Sequence, residues 1–366
     1  MVAVPIADIS QQTVARIRSA LLDWYGQNAR TLVWRTPPGS KARPDPYRVW
    51  LSEVMLQQTT TPHATPYFQA FTTRWPTVND LAAAPDSDVM AAWAGLGYYA
   101  RARNLLACAR AVARDHGGAF PGTEADLLKL PGVGAYTAAA VAAIAFGRPA
   151  NVVDGNVERV MARLFAVETP LPAARPRLKA LATRFVIGDQ PGAEHADWPQ
   201  ALMDLGATVC RPKSPLCDRC PVAFGCAALT TGDSGRYPLK VKKGERPHRH
   251  GIAWVLRDGE GRVGLVRRPD KGLLGGMLGL PTSDWNAVPD VTPPVSLDWH
   301  DAGTVEHVFT HFSLTLVVHV ATGEGDFLWT PEADAMAGLP TVFRKALERG
   351  LGGWISPSRT TAAEAM

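Results

Sequence analysis

The sequence predicts a two-domain protein, an all-α domain followed by one built on strands. Three observations carry that prediction. The chain has 366 residues, more than one hydrophobic core usually serves. From about Ile9 to Leu229 apolar residues recur at three- and four-residue spacing, the period of a helix with one buried face. From His250 onward the period shortens to that of strands.

Taken in order, "TVARIRSALLDWY", "PYRVWLSEVMLQQ", "DSDVMAAWAGL", "YARARNLLACARAVARDH", "AYTAAAVAAIAFG" and "GNVERVMARLFAV" read as helices, with Gly, Pro, Asp or Ser marking their ends. No strand is expected among them, so residues 1–231 form the helical domain. "GDSGRYPLKVKKGERPHRH" carries six Lys or Arg against two acidic residues and reads as an exposed linker over 232–249. Its charges suit plain solvation or a path along a phosphate backbone. "GIAWVLRD" and "GRVGLVRRP" read as strands, and "VEHVFTHFSLTLVVHV" as one longer strand-like run, in a domain over 250–352. Residues 353–366 are small and polar and are expected to be a disordered tail.

With 46% hydrophobic and 20% charged residues, the composition is that of a soluble globular protein. "MVAVPIADISQQ" has no basic start leading into an apolar run, so it does not read as a signal peptide. No apolar stretch reaches membrane-spanning length. The expectation is a cytoplasmic protein, nucleoid-associated in a bacterium, with no membrane partner. A net charge of +4 suits a polyanionic partner without requiring one.

Of five cysteines, Cys108 stands alone in "NLLACARAVA" and reads as a small buried apolar residue. Cys210, Cys217, Cys220 and Cys226 form C-x6-C-x2-C-x5-C. A tight cluster in a chain without an export signal points to a metal site, not disulfides. Spacing alone leaves zinc and a [4Fe–4S] cluster open. Arg211 and Lys213 lie in the first loop of that cluster.

Three further stretches carry candidate chemistry. In "LPGVGAYT", Gly132 and Gly134 allow a tight turn that opens a helix. Free amides at a helix N-terminus grip phosphate, although an ordinary turn between packed helices has the same spacing. In "VWLSEVMLQQT", Glu53 sits in an apolar helix, with Val49, Trp50 and Gln57 on its face. Poor solvation raises a carboxyl pKa and favours a proton donor near neutral pH, against the plainer reading of an ion-paired Glu. In "NVVDGNVERV", Asp154 is placed as an N-cap. A capped carboxylate also suits a group facing a developing cation. The two acids together follow the logic of glycosidic bond cleavage.

These pieces, in this order, resemble the MutY adenine DNA glycosylases of the helix–hairpin–helix glycosylase superfamily. The resemblance runs from about Leu21 to His319 and rests on "WLSEVMLQQT", "GLGYYARARNL", "LPGVGAYTAAA", "VDGNVERV", "QALMDLGATVC", the four cysteines, "GLLGGMLGLP" and "FTH". It implies an all-α helix–hairpin–helix glycosylase domain with an iron–sulfur loop over 210–226, followed by an α/β Nudix-like domain. It implies removal of adenine mispaired with 8-oxoguanine in duplex DNA by a monomer. It also implies a structural [4Fe–4S] cluster on Cys210, Cys217, Cys220 and Cys226.

The resemblance carries roles position by position. Glu53 would protonate the adenine, and Asp154 would stabilise or transiently bond the oxocarbenium-like sugar. Tyr136 and Asn156 would orient that carboxylate and the sugar. Trp34, Arg35 and Gln200 would line the adenine pocket. Gln58 and Tyr98 would wedge into the stack, and Phe309, Thr310 and His311 would sense 8-oxoguanine. Thr310 stands where the family has Ser, and Pro199 where it usually has Asn.

A working Nudix hydrolase needs paired glutamates for Mg²⁺, but "TSDWNAVPDV" follows "GLLGGMLGLP" without them. The C-terminal domain is therefore expected to recognise and not to hydrolyse. An endonuclease III-like lyase would need a lysine amine at the hairpin exit. Tyr136 stands there, and no Lys follows before Arg148. A non-catalytic metal-cluster DNA-binding protein would need neither Glu53 nor Asp154.

Overall fold

The structure, a computed structural model, describes residues 9–40, 42–241, 246–269 and 272–354. The chain divides into two compact units, with the boundary after residue 242.

The first unit holds α1 Gln11–Asn28, α2 Pro46–Met55, α3 Thr61–Arg74, α4 Val78–Ala83, α5 Asp86–Ala92, α6 Tyr99–His116, α7 Glu124–Leu127, α8 Ala135–Phe146, α9 Gly155–Leu164, α10 Arg175–Thr183, α11 Ala193–Thr208 and α12 Ala227–Thr230. Local chemistry sets their ends. Asp45 caps α2 by accepting from the Tyr47 amide at 2.9 Å, and Pro46 takes the first turn, where no amide is needed. Thr77 and Asp80 form a reciprocal capping box on α4. Gly117 and Gly147 close α6 and α8 at φ 60° and 62°, a left-handed conformation that costs glycine little.

Helix α8 buries every residue from Thr137 to Ala145. A helix that is apolar all round belongs inside a core, and its alanines let α2 and α11 pack closely on it. The start of α8 is thereby fixed against both neighbours. Cys108 is buried, as a small apolar residue in that position would be.

Three readings change. Helix α2 stops at Met55, so Gln57 lies in the following turn and not in the helix, although it still lines the same cavity as Glu53. The segment 232–249 is not simply an exposed linker. Tyr237 is buried and donates to Glu168, its carbonyl accepts from Arg163 at 3.0 Å, and the Leu171 amide donates to Leu239 at 2.8 Å. His248 already opens a strand, while residues 242–245 lie outside the described residues. Finally, the last helix continues to Trp354, and residues 355–366 of the expected tail lie outside the described residues.

The second unit is a mixed sheet of β1 His248–Arg257, β2 Val263–Arg267, β3 Leu278–Gly279, β4 His300–Val308, β5 Ser313–Thr322 and β6 Leu328–Thr330, with α13 Glu332–Gly338 and α14 Thr341–Trp354. The strand order is β3-β2-β1-β5-β4, and β6 pairs with β2. β1 and β5 run parallel; the other pairs are antiparallel. The run read as one long strand is a hairpin: β4 and β5 are joined through Phe309–Phe312, closed by the Phe309 amide donating to the Phe312 carbonyl at 2.9 Å. Leu314, Leu316 and Val318 alternate inward from β5 and meet Val342, Phe343 and Ala346 of α14.

Candidate active site

One cavity of about 460 Å³ gathers most of the expected residues of the helical unit. Glu53, Asp154, Tyr136, Asn156, Trp34, Arg35, Gln200 and Gln58 all line it. Its size is in the range that encloses a small ligand.

Glu53 enters from α2 at 8% exposure. Burial pushes its carboxyl up to about 7, and the charge of Asp154 pushes the same way. The Tyr136 hydroxyl and Arg35 pull in the opposite sense without cancelling the shift. Val49 is the apolar wall expected beside it. Trp50, expected on the same wall, lies in the core against Phe120 at 5.2 Å and does not line the cavity. Tyr136, in the first turn of α8, interacts with Glu53 and donates to Met203 Sδ at 3.7 Å.

Asp154 caps α9. Its Oδ1 accepts from the Val157 amide at 2.8 Å, and its Oδ2 from Asn156 Nδ2 at 2.8 Å. Asn156 is held in turn, its Oδ1 accepting from Arg159 Nη2 at 2.8 Å. Arg159 also donates to the carbonyls of Cys210 and Gly206, at 2.8 and 2.7 Å. One oxygen therefore caps the helix and the other is held by Asn156, in a residue that also lines the cavity.

The opposite wall depends on a residue the sequence reading passed over. Asp204, fully buried in α11, accepts from Arg35 Nη1 at 2.8 and 2.7 Å and from Arg30 Nε at 2.6 Å. The paired charge holds Arg35 at the cavity. The sequence signal was available: an acid within "QALMDLG" is as exceptional as Glu53 in its own apolar run. Trp34 packs edge-on to Phe68 at 5.4 Å. Helix α11 runs through Pro199, and Gln200 is buried with its Nε2 donating to Ala196 O at 3.0 Å. The acceptor oxygen of its amide is not used by that bond.

Gln58 and Tyr98 are exposed, and both hold left-handed φ values, 60° and 50°, without being glycine. Only Gln58 lines the cavity. At the hairpin, Gly132 has φ +71°, and a Cβ there would come within 2.6 Å of Asn104 Cβ, so the turn admits glycine alone. Gly134 precedes α8, and no side chain caps that helix. Its first-turn amides suit an anion.

Cys210, Cys217, Cys220 and Cys226 line one small pocket. Buried Arg163 donates to Cys210 Sγ at 3.3 Å and to the carbonyls of Arg211 and Pro212 at 2.7 and 3.2 Å. Burial pushes the Cys220 thiol up to about 12 and raises that of Cys226. Among the described residues, no three His, Cys, Asp or Glu side chains are arranged to hold a metal ion. The four sulfurs share a pocket without forming a ready site for one ion.

In the second unit, Thr310 and His311 are exposed at the tip of the β4–β5 hairpin. The Phe309 ring stacks on Trp285, centroids 5.6 Å apart, and meets His307 edge-on at 4.5 Å. Residues 280–299 form no helix.

Comparison with known proteins follows the same division. Residues 51–182 match the HhH-GPD superfamily of base excision DNA repair proteins, and residues 252–349 match the NUDIX domain family. The human adenine DNA glycosylase is 35% identical over 375 residues, covering 85% of this chain and 68% of that protein. That of Mycolicibacterium smegmatis is 37% identical over 241 residues, covering 65% and 79%. That of Arabidopsis thaliana is 38% identical over 311 residues, covering 75% and 48%. Among solved structures, a thermostable thymine-DNA glycosylase matches with a TM-score of 0.53 and 30% identity, over 61% of this chain and 100% of that one. Among the described residues, no helix is long and apolar enough to cross a membrane.

Proposed function

The chain belongs to the adenine DNA glycosylase family, and from that premise we propose that its substrate is adenine paired with 8-oxoguanine, or less readily with guanine, in duplex DNA. It is a base excision repair enzyme acting on N-glycosyl bonds. The observation that carries the reading is Glu53, an acid shifted to about 7, sharing a cavity with Asp154.

The reacting atoms are shielded in a duplex, so the adenosine must leave the stack and enter the cavity. Gln58 and Tyr98 fill the space left behind. Arg35, Trp34 and Gln200 surround the base, and neutral Glu53 protonates it, making it a leaving group. Asp154 faces the cation that develops on the sugar, with Asn156 and Tyr136 fixing it. Gly132 and Gly134 grip the strand through backbone amides. Phe309, Thr310 and His311 read the 8-oxoguanine, with Thr310 supplying the hydroxyl that Ser would.

Cys210, Cys217, Cys220 and Cys226 would hold a [4Fe–4S] cluster. The four-thiolate donor set, gathered in one small pocket, fits that group. When bound, it supplies a rigid fold for the loop bearing Arg211 and Lys213. The protein works as a monomer in the cytoplasm, or on the nucleoid in a bacterium.

An excision assay with excess enzyme tests the reading. Adenine should be released opposite 8-oxoguanine, more slowly opposite guanine and not measurably opposite thymine. The strand should remain intact, and borohydride should trap no lysine-linked adduct, because Tyr136 offers no amine. Strand nicking coupled to pyrimidine removal would sink it.

The pH dependence follows from the acid. Glu53 donates only while protonated, so excision should be level below about pH 7 and fall roughly tenfold per pH unit above it. Single-turnover rates across that range check this. A rate that stays constant through pH 8 to 9 would remove Glu53 as the donor.

A further inference from the structure

The two wedge residues sit on separate loops, and one side chain ties those loops together. We propose that Arg101 is a positioning residue that holds Gln58 and Tyr98 as a single pre-formed wedge. The inference rests on the reading of that pair given above.

Arg101 Nη1 donates to the carbonyls of Val54, Met55 and Gln57 at 3.1, 3.3 and 2.6 Å. Its Nη2 donates to the carbonyls of Leu96 and Gly97 at 3.0 and 3.4 Å. The first set includes the end of α2, where carbonyls have no partner within the helix. It finishes one residue before Gln58. The second set finishes one residue before Tyr98. One planar guanidinium therefore fixes the peptide entering each wedge residue.

Those entries need fixing. Gln58 and Tyr98 occupy left-handed backbone that side chains other than glycine rarely adopt, and such a conformation persists only where the surroundings enforce it. Packing of the two side chains gives little support here, since Tyr98 is 56% exposed and Gln58 is also at the surface; Trp93 Nε1 helps at one entry by donating to the Gly97 carbonyl at 3.0 Å, and Arg101 spans both. Arg101 reaches further: its guanidinium carbon lies 5.6 Å from the centre of the Tyr98 ring and 5.3 Å from that of Trp93. Only arginine has a fork wide enough for five carbonyls shared between the end of α2 with its following turn and the turn before α6. Lysine presents its donors from one point.

The consequence is selective. A wedge that is already formed costs no ordering when the base is extruded. Loss of Arg101 should slow extrusion and spare bond cleavage. The test compares, on the full chain, single-turnover excision of adenine opposite 8-oxoguanine with excision of adenine opposite an abasic-site analogue, where no base pair must be opened. Extrusion itself is followed by the fluorescence of 2-aminopurine at the target position.

Arg101→Lys should slow excision from the paired duplex about tenfold or more, and from the unpaired substrate less than about threefold, with the fluorescence rise delayed in parallel. In a Gln58→Ala/Tyr98→Ala background the same change should add nothing, as expected for residues acting as one unit. Arg101→Gln carries the same comparison should the lysine variant not fold. Equal slowing on both substrates, or undiminished slowing in the double-alanine background, overturns the proposal. If Gln58→Ala/Tyr98→Ala extrudes and excises as the parent does, the wedge reading falls and the proposal with it. If that pair is slow while Arg101→Lys is normal, only the role of Arg101 falls.

Discussion

Glu53→Gln is expected to lower single-turnover adenine excision by about 10³–10⁴-fold while duplex affinity changes less than about threefold. The amide has the shape of the acid and can still donate a hydrogen bond, but it cannot give up a proton at neutral pH. Bulk water cannot readily substitute, because Glu53 is only 8% exposed. A second signature separates catalysis from folding. The carboxyl shifts from 4.5 unfolded to about 7 folded. Its contribution to stability is complete below pH 4.5 and is lost as pH rises through about 7, because the folded state then holds a buried charge. Relative to the parent, the variant should gain stability across that window, to about 3 kcal/mol at pH 8. A chain that is inactive yet more stable is the pattern of a residue kept for function. Denaturant unfolding at pH 4.5 and 8, beside the excision assay, checks both halves. A variant within tenfold of the parent rate would return Glu53 to a structural role.

What the sequence revealed, and what it hid, follows from the range of each signal. Helix α8 was legible because burial all round leaves a run of alanines. Glu53 was legible because an acid in an apolar run has a local cost that composition exposes. Asp204 has the same local signature, but its meaning depends on Arg30 and Arg35, which lie far off in the chain and meet it only in the fold. The turn at Phe309–Phe312 was hidden because no Gly, Pro or Asn marks it, and the apolar rhythm continues on both sides. The end of α2 was hidden for a related reason. "VMLQQT" has good helix formers, and the Arg101 side chain that donates to the freed carbonyls comes from α6. The charge of residues 232–249 masked the burial of Tyr237, a single aromatic among basic neighbours.

Asp154→Asn should reduce excision by about 10²–10⁴-fold with little loss of stability, which resolves the two roles of that carboxylate. Asp and Asn cap helices about equally well, so the bond from the Val157 amide survives the exchange. The charge facing the cavity does not. With the amide oxygen kept on the Val157 cap, the new amide nitrogen faces Asn156 Nδ2, another donor, so the bond that Asn156 made to Asp154 Oδ2 is lost. Asp154→Ser offers a second capping residue with no carboxyl, and it should match Asn in both stability and inactivity. Asp154→Ala should be as inactive and lose about 1 kcal/mol more, the usual value of a lost N-cap. The ordering of the three therefore decides the question: stability should follow capping capacity, while activity should follow charge. Should Asp154→Asn retain activity while Asp154→Ala lost it, the residue would be a cap that shapes the site, and the developing cation would need another partner.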